Sequence, residues 1–170
     1  DLNRLSKKEF KSKKKIPVRI LLDNVRSMNN VGSCFRTCDA FLIEKIYLIG
    51  ITATPPHREI HKTALGATET VDWEYKKNPE DILKKLKSDN WKIILIEQTN
   101  KSIALNKFDP KKSDKYCFIF GNEVFGINDK ILSNGDLSIE IPQFGTKHSI
   151  NIAVSIGIVI WDYFIKTISK

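Results

Sequence analysis

Three short polar stretches interrupt an otherwise core-like sequence: "NNVGSCFRT" (29–37), "FGNEVFGIND" (120–129) and "IPQFGTKHSIN" (141–151). Together they offer two amides (Asn30, Asn151), a guanidinium (Arg36), a carboxylate (Glu123), a hydroxyl (Ser149) and two glycines (Gly121, Gly126). Such groups orient a polar ligand and let the backbone approach it closely. They do not form the common nucleotide or hydrolase signatures. "GNEVFGIN" has the two glycines of a P-loop but continues Ile127-Asn128 in place of Lys-Ser/Thr. The first apolar segment is followed by "DNVRSMNN", with no glycine before Gly32, so a dinucleotide-type turn is absent. "VSIGI" is not the Gly-x-Ser-x-Gly elbow.

Cys34, Cys38, His57 and His61 raise a zinc-binding nucleic-acid module as an alternative. The step from Cys38 to His57 exceeds the usual finger gap. Both cysteines also fall on the apolar side of a helical pattern, where Cys acts as a small hydrophobe. No metal is expected. Ser149 and Asn151 pose a sharper question, because they open a long apolar run. A helix cap accounts for Ser149. It leaves Asn151, early in an apolar helix, without a purpose.

The elements that must position these groups are legible from periodicity. "VRILLDNV" (18–25), "KIYLIG", "TVDWEY", "WKIILIEQ", "KYCFIFG" and "LSIEI" read as strands, several of them apolar throughout. Val31, Cys34, Phe35, Cys38 and Phe41 recur at helical spacing, with Asn29 or Asn30 as cap. "NPEDILKKLKS" reads as a helix with Asn78 as cap and Pro79 in its first position. One helical turn is expected around Glu59–Lys62, a short helix at "INDKILS", and a last helix from about Ser149 to Lys166. Strands alternating with helices indicate an α/β fold with a mostly parallel sheet and helices on both faces. Each polar stretch then stands at or just beyond a strand end, the edge where open α/β sheets bind ligands.

The 170 residues suggest one domain. The net charge of +8 is concentrated in residues 1–15, "DLNRLSKKEFKSKKK", which hold seven basic and two acidic residues. That stretch reads as a basic arm ahead of a domain at 16–170, with Arg4, Lys7, Lys8 and Lys11 available for a polyanion such as RNA. Three cysteines, no signal peptide and no apolar run long enough to span a bilayer point to a cytoplasmic protein.

The three stretches, in this order, resemble the motifs of the SpoU/TrmH family of the SPOUT superfamily. The first motif matches Asn30 through Arg36, the second Gly121-Asn122-Glu123-Val124-Phe125-Gly126, and the third Ile141-Pro142 through Ser149-Ile150-Asn151-Ile152. The resemblance covers about residues 19–163. Ile150 stands where Leu is usual, and Cys38 where Ala is common. The resemblance implies a C-terminal deep trefoil knot, a homodimer formed through the first and last helices, and S-adenosylmethionine as cofactor. It implies methyl transfer to a ribose 2′-hydroxyl of RNA, with transfer RNA favoured over ribosomal RNA. An RNA-binding protein on that scaffold without turnover is the alternative. By the same resemblance Arg36 is the activating or phosphate-clamping residue, and Asn30, Glu123, Ser149 and Asn151 complete the catalytic set. Gly121, Gly126, Ile141 and Ile150 would hold the cofactor, with Gln98 and Thr99 lining its adenosyl part.

Overall fold

The computed structural model describes residues 4–168. Seven strands form one sheet: β1 (Ile16–Asp23), β2 (Ile43–Ile49), β3 (Asp72–Lys76), β4 (Trp91–Ile96), β5 (Ile103–Ala104), β6 (Lys115–Phe120) and β7 (Leu137–Glu140). Their spatial order is β3-β2-β1-β6-β4-β7-β5, and every ladder between them is parallel. The helices are α1 (Lys7–Ser12), α2 (Met28–Ala40), α3 (Arg58–Ala64), α4 (Glu80–Ser88), α5 (Asp129–Leu132) and α6 (Ile152–Thr167). The apolar strands are covered on both sides, as their composition required. In β1, Ile20 and Leu22 enter the larger core, with α2, α3 and α6, while Leu21 enters the second core with α4 and α5. In β6, Phe118 and Phe120 divide from Cys117 and Ile119 in the same way. Complete burial of each such aliphatic side chain contributes about 1.5–3 kcal/mol.

Helix starts differ from the sequence-based expectations for identifiable reasons. α2 begins at Met28, and Ser27 rather than Asn29 or Asn30 is its cap, its hydroxyl accepting from Asn30 N. The Glu123 carboxylate accepts from Arg26 N and Ser27 N, so a side chain from a distant loop satisfies the amides just ahead of the helix. α4 begins at Glu80, and Pro79 occupies the cap position in place of Asn78. α6 begins at Ile152 and Asn151 is its cap, accepting from Ala153 N and Val154 N. The cap is therefore Asn151 and not Ser149.

The basic stretch is more than a tail. Ser6 and Glu9 form a reciprocal capping box that starts α1. Phe10 is only 4% exposed and lies in the larger core. Lys7 pairs with Glu69 of a short 3-10 turn, Ala67–Glu69. Periodicity alone did not reveal α1, because a six-residue helix presents a single apolar residue to the core. β5 escaped notice as a two-residue edge strand.

Candidate active site

The ends of β4, β6 and β7 open onto one cleft of about 930 Å³. Glu97 and Gln98 follow β4, the 121–126 turn follows β6, and the 141–151 loop follows β7 and leads into α6. Asn30, from the first turn of α2, closes the side toward β1. Two adjacent residues at the end of β1 fix this arrangement. Asp23, buried there, accepts from Asn128 N at 2.7 Å and Asn24 Nδ2 at 2.8 Å. Asn24 in turn accepts at its carbonyl from Asn122 Nδ2 at 2.7 Å, and at Oδ1 from Ile51 N. The 121–128 turn is thus tied to β1 across about a hundred residues of sequence. Burial raises the Asp23 carboxyl above the usual range, against the two hydrogen bonds that favour its ionised form.

The glycines serve the turn itself. A Cβ on Gly121 would lie 2.3 Å from the Gly126 carbonyl carbon, and Gly126 has φ +71° with Glu97 Oε2 beside it. Neither position accepts another residue without rebuilding the loop. Asn122 Oδ1 accepts from Val124 N and Phe125 N and closes the same turn. Across the cleft, Asn151 Nδ2 donates to Asn30 Oδ1 at 3.2 Å. Asn151 is therefore both cap and cross-link: its oxygen serves α6, and its nitrogen reaches α2. Burial alone would raise the Glu123 carboxyl. The N–H groups of Arg26, Glu123 and Ser27 and the Asn30 side chain outweigh this and hold it below the usual range.

A model of the SpoU rRNA methylase family matches residues 17–161. The chain belongs to that family. Among relatives, the 23S rRNA (guanosine-2'-O-)-methyltransferase RlmB of Neisseria meningitidis is 28% identical over 144 residues, which are 85% of this chain and 56% of that protein. The tRNA (guanosine(18)-2'-O)-methyltransferase of Aquifex aeolicus is 26% identical over 91% of this chain and 72% of its own length. The chain thus spans a little over half of one relative and about three quarters of the other. Among solved structures, the A. aeolicus TrmH/SpoU tRNA modifying enzyme superposes with a TM-score of 0.82 at 23% identity, over 94% of this chain and 80% of that one. The rRNA methyltransferase of Sinorhizobium meliloti bound to AdoMet gives 0.81 at 24% identity, over 95% and 60%. At these identities the superpositions establish the fold.

Within this SpoU chain, nine of the eleven expected catalytic and cofactor residues line the cleft: Asn30, Glu123, Ser149, Asn151, Gln98, Gly121, Gly126, Ile141 and Ile150. Thr99 does not; its hydroxyl accepts from Lys101 N in a local turn that Ser102 completes. Arg36 does not line the cleft either. It lies six residues beyond Asn30, about 9 Å along the helix, and is exposed. Glu123 does not hold Arg36; its oxygens are committed to the start of α2. Of the basic stretch, Arg4, Lys7, Lys8 and Lys11 are exposed away from the cleft. Cys34 and Cys38 are buried, with their sulfurs 3.9 Å apart, and His57 accepts from Glu59 N to start α3. Among the described residues no three metal-binding side chains gather. No described helix is long and apolar enough to cross a membrane.

Reading the sequence missed Glu97 and Phe144. Glu97 follows an apolar strand and carries no motif, yet it faces the cleft and accepts from Ile127 N. Phe144 is 96% exposed on the β7–α6 loop at the cleft mouth. An exposed aromatic in a Gly-rich polar loop was the available signal.

Proposed function

We propose that the protein transfers a methyl group from S-adenosylmethionine to a ribose 2′-hydroxyl of RNA. The observation that carries this reading is the single cleft that gathers three distant polar stretches on the carboxyl edge of a parallel sheet. Its chemistry fits the cofactor. Ile96, Phe120, Ile139, Ile141 and Ile150 supply apolar walls for a purine, and the carboxylates of Glu97, Glu123 and Glu140 place negative charge around a cationic ligand. These three carboxylates outnumber the one lysine of the lining, Lys147, in a chain of net charge +8. When bound, S-adenosylmethionine supplies an electrophilic methyl on a sulfonium.

The chain's own residues would then orient the nucleophile. Asn30 and Asn151 are bonded to each other in the lining of the cleft and can offer their remaining amide hydrogens to a ribose. Glu123 is a poor proton acceptor, since its oxygens are occupied and its carboxyl is held ionised. It is a positioning residue that keeps the start of α2, and so Asn30, in place. Ser149 has an exposed hydroxyl at the cleft and is free to contact the ribose. Arg36 carries a guanidinium with no ion pair or hydrogen bond among the described residues, suited to clamp an RNA phosphate beside the reacting hydroxyl, whose proton would pass to that phosphate or to solvent as its oxygen takes the methyl.

The finer architecture belongs to the same proposal: a trefoil knot at the carboxyl end of the chain, a homodimer, and a cytoplasmic site of action. The dimer reading is supported by α6. Ile156, Val159, Ile160 and Tyr163 are buried, while Val154, Ile158, Trp161, Ile165 and Ile168 form a second apolar stripe left exposed. That stripe follows the i, i+4, i+7 spacing of a packed helix face. Transfer RNA is the favoured substrate.

The test is a paired measurement. Calorimetry with S-adenosylhomocysteine should show binding to the wild type, to Arg36→Ala and to Arg36→Lys alike. Single-turnover transfer of labelled methyl to RNA should fall by at least a hundredfold in both variants, because lysine keeps the charge but lacks the planar fork. No binding at millimolar ligand overturns the cofactor. Wild-type transfer by Arg36→Ala overturns the role of Arg36, and binding without transfer in the wild type leaves an RNA-binding protein without turnover.

A further inference from the structure

We propose that RNA phosphates are held by a composite folded face built from α1 and α3, with Phe10 as the latch that fixes α1 to the domain. This deepens the RNA methyltransferase reading and rests on it for the choice of RNA as the polyanion.

Four observations support the face. Phe10 is buried in the larger core, and Ser6 and Glu9 cap α1, so the lysines of α1 stand on an ordered helix. Lys7 pairs with Glu69, which draws α1 against the 3-10 turn that follows α3. The Glu69 carboxyl is held low mainly by its bond to Lys7, with the nearby His61 and Lys11 adding to the effect. Groups from α1 and α3 thus surround one carboxylate. Beside them, Pro56, His57, Arg58, His61 and Lys62 line a shallow depression of about 480 Å³. Finally, Gly32 packs so closely on α3 that a Cβ there would lie 2.2 Å from Ile60 O. Arg36 is one turn further along α2 than Gly32.

The geometry separates two kinds of basic side chain. Lys7 and Lys62 are paired, with Glu69 and Glu59. Lys8, Lys11 and Arg58 are exposed and carry no ion pair among the described residues. Those three would meet phosphates, while the paired ones hold the scaffold. Such contacts position RNA without reading its bases. They also place the polyanion on the side of the sheet that carries α2 and Arg36, away from α4, whose apolar residues belong to the second core.

Three charge-reversal pairs test the face: Lys8→Glu with Lys11→Glu, Arg58→Glu with Lys62→Glu, and a control, Lys84→Glu with Lys85→Glu on α4. All three pairs change net charge equally. Affinity for an unmodified transfer RNA transcript is titrated without cofactor from about 50 to 200 mM salt. The α1 and α3 pairs should each weaken binding about tenfold or more near 150 mM. The α1 pair should lower the log–log salt slope by about 1.4–1.8, at 0.7–0.9 for each lost phosphate contact, and the α3 pair, in which only Arg58 meets a phosphate, by about 0.7–0.9. The α4 pair should change both by less than half as much. Phe10→Ala keeps every charge and should weaken binding severalfold while α1 becomes accessible to trypsin. Equal losses in all three pairs overturn the composite face, leaving only net charge. A loss confined to the α1 pair overturns the part assigned to α3. Loss of binding to anionic phospholipid vesicles with RNA affinity intact overturns RNA as the partner. Because no cofactor is present, these outcomes are independent of whether S-adenosylhomocysteine binds.

Discussion

Replacing Asn151 separates two roles that the structure places on one side chain. Its oxygen accepts from Ala153 N and Val154 N at the start of α6, and its nitrogen donates to Asn30 Oδ1. Asn151→Ala removes both. Loss of such a cap costs about 1 kcal/mol, within 0.5–2. For a domain of 170 residues this is a drop in Tm of about 2–4 °C. A domain stable by about 5 kcal/mol or more would stay folded at assay temperature, so any large loss of transfer is not an unfolding effect. Asn151→Asp retains an acceptor for the helix and places negative charge at its amino end, worth about 0.3–1 kcal/mol. It loses the donor to Asn30 Oδ1, and Asn30 cannot turn its amide toward the new oxygen without turning its own oxygen toward the Glu123 carboxylate. Thermal melts should rank Asn151→Asp, which keeps the cap, above Asn151→Ala, which loses it. Methyl transfer should fall at least tenfold in both variants. Wild-type transfer by Asn151→Asp would mean that the residue is a cap and nothing more. An unchanged Tm in Asn151→Ala would refute the energetics assigned to the cap.

Two further substitutions probe assembly and the tie between loops. Trp161→Glu puts a charge on the exposed stripe of α6, where Trp161 is 52% exposed and stacks on Phe164; it should shift sedimentation at micromolar concentration from dimer to monomer, and a wild-type monomer refutes the dimer. Glu123→Gln removes a carboxylate whose acidity the N–H groups of Arg26 and Ser27 increase. A depressed folded-state value stabilises the protein above the ordinary carboxylate range and is lost as pH falls through the depressed value. The stability gap between wild type and Glu123→Gln should therefore be present at pH 7 and close below about pH 4. A gap that widens on acidification contradicts the capping role.

The sequence carried the sheet because apolar strands buried on two faces leave an unbroken apolar run, as "YCFIF" does in β6. It carried the cleft because polar residues at three strand ends have no core to enter. It did not carry the caps. Ser27, Asn29 and Asn30 are equally good cap types within four residues, and the choice falls to Ser27 because Glu123, nearly a hundred residues away, satisfies the amides at that point. The Asp23 and Asn24 ties to Asn128 and Asn122 were hidden for the same reason. Nothing local distinguishes an Asp-Asn that ends a strand from one that also holds a remote loop.

These long-range bonds change how the three motifs are understood. Glu123 of the second stretch caps the helix that carries Asn30 of the first, and Asn151 of the third bonds to that same Asn30. The polar residues of the cleft are therefore bonded to one another before any ligand arrives, so a substitution at one shifts the others. Double substitution at Asn30 and Asn151 should accordingly cost less than the sum of the single effects on transfer, because the second change acts on a bond the first has already broken. Arg36 stands outside this network, and its effect should add independently to theirs. If instead Arg36→Ala and Asn151→Ala show strong coupling in a double-mutant cycle, Arg36 reaches the cleft when RNA binds, and the exposed position it occupies in the free protein is only its resting one.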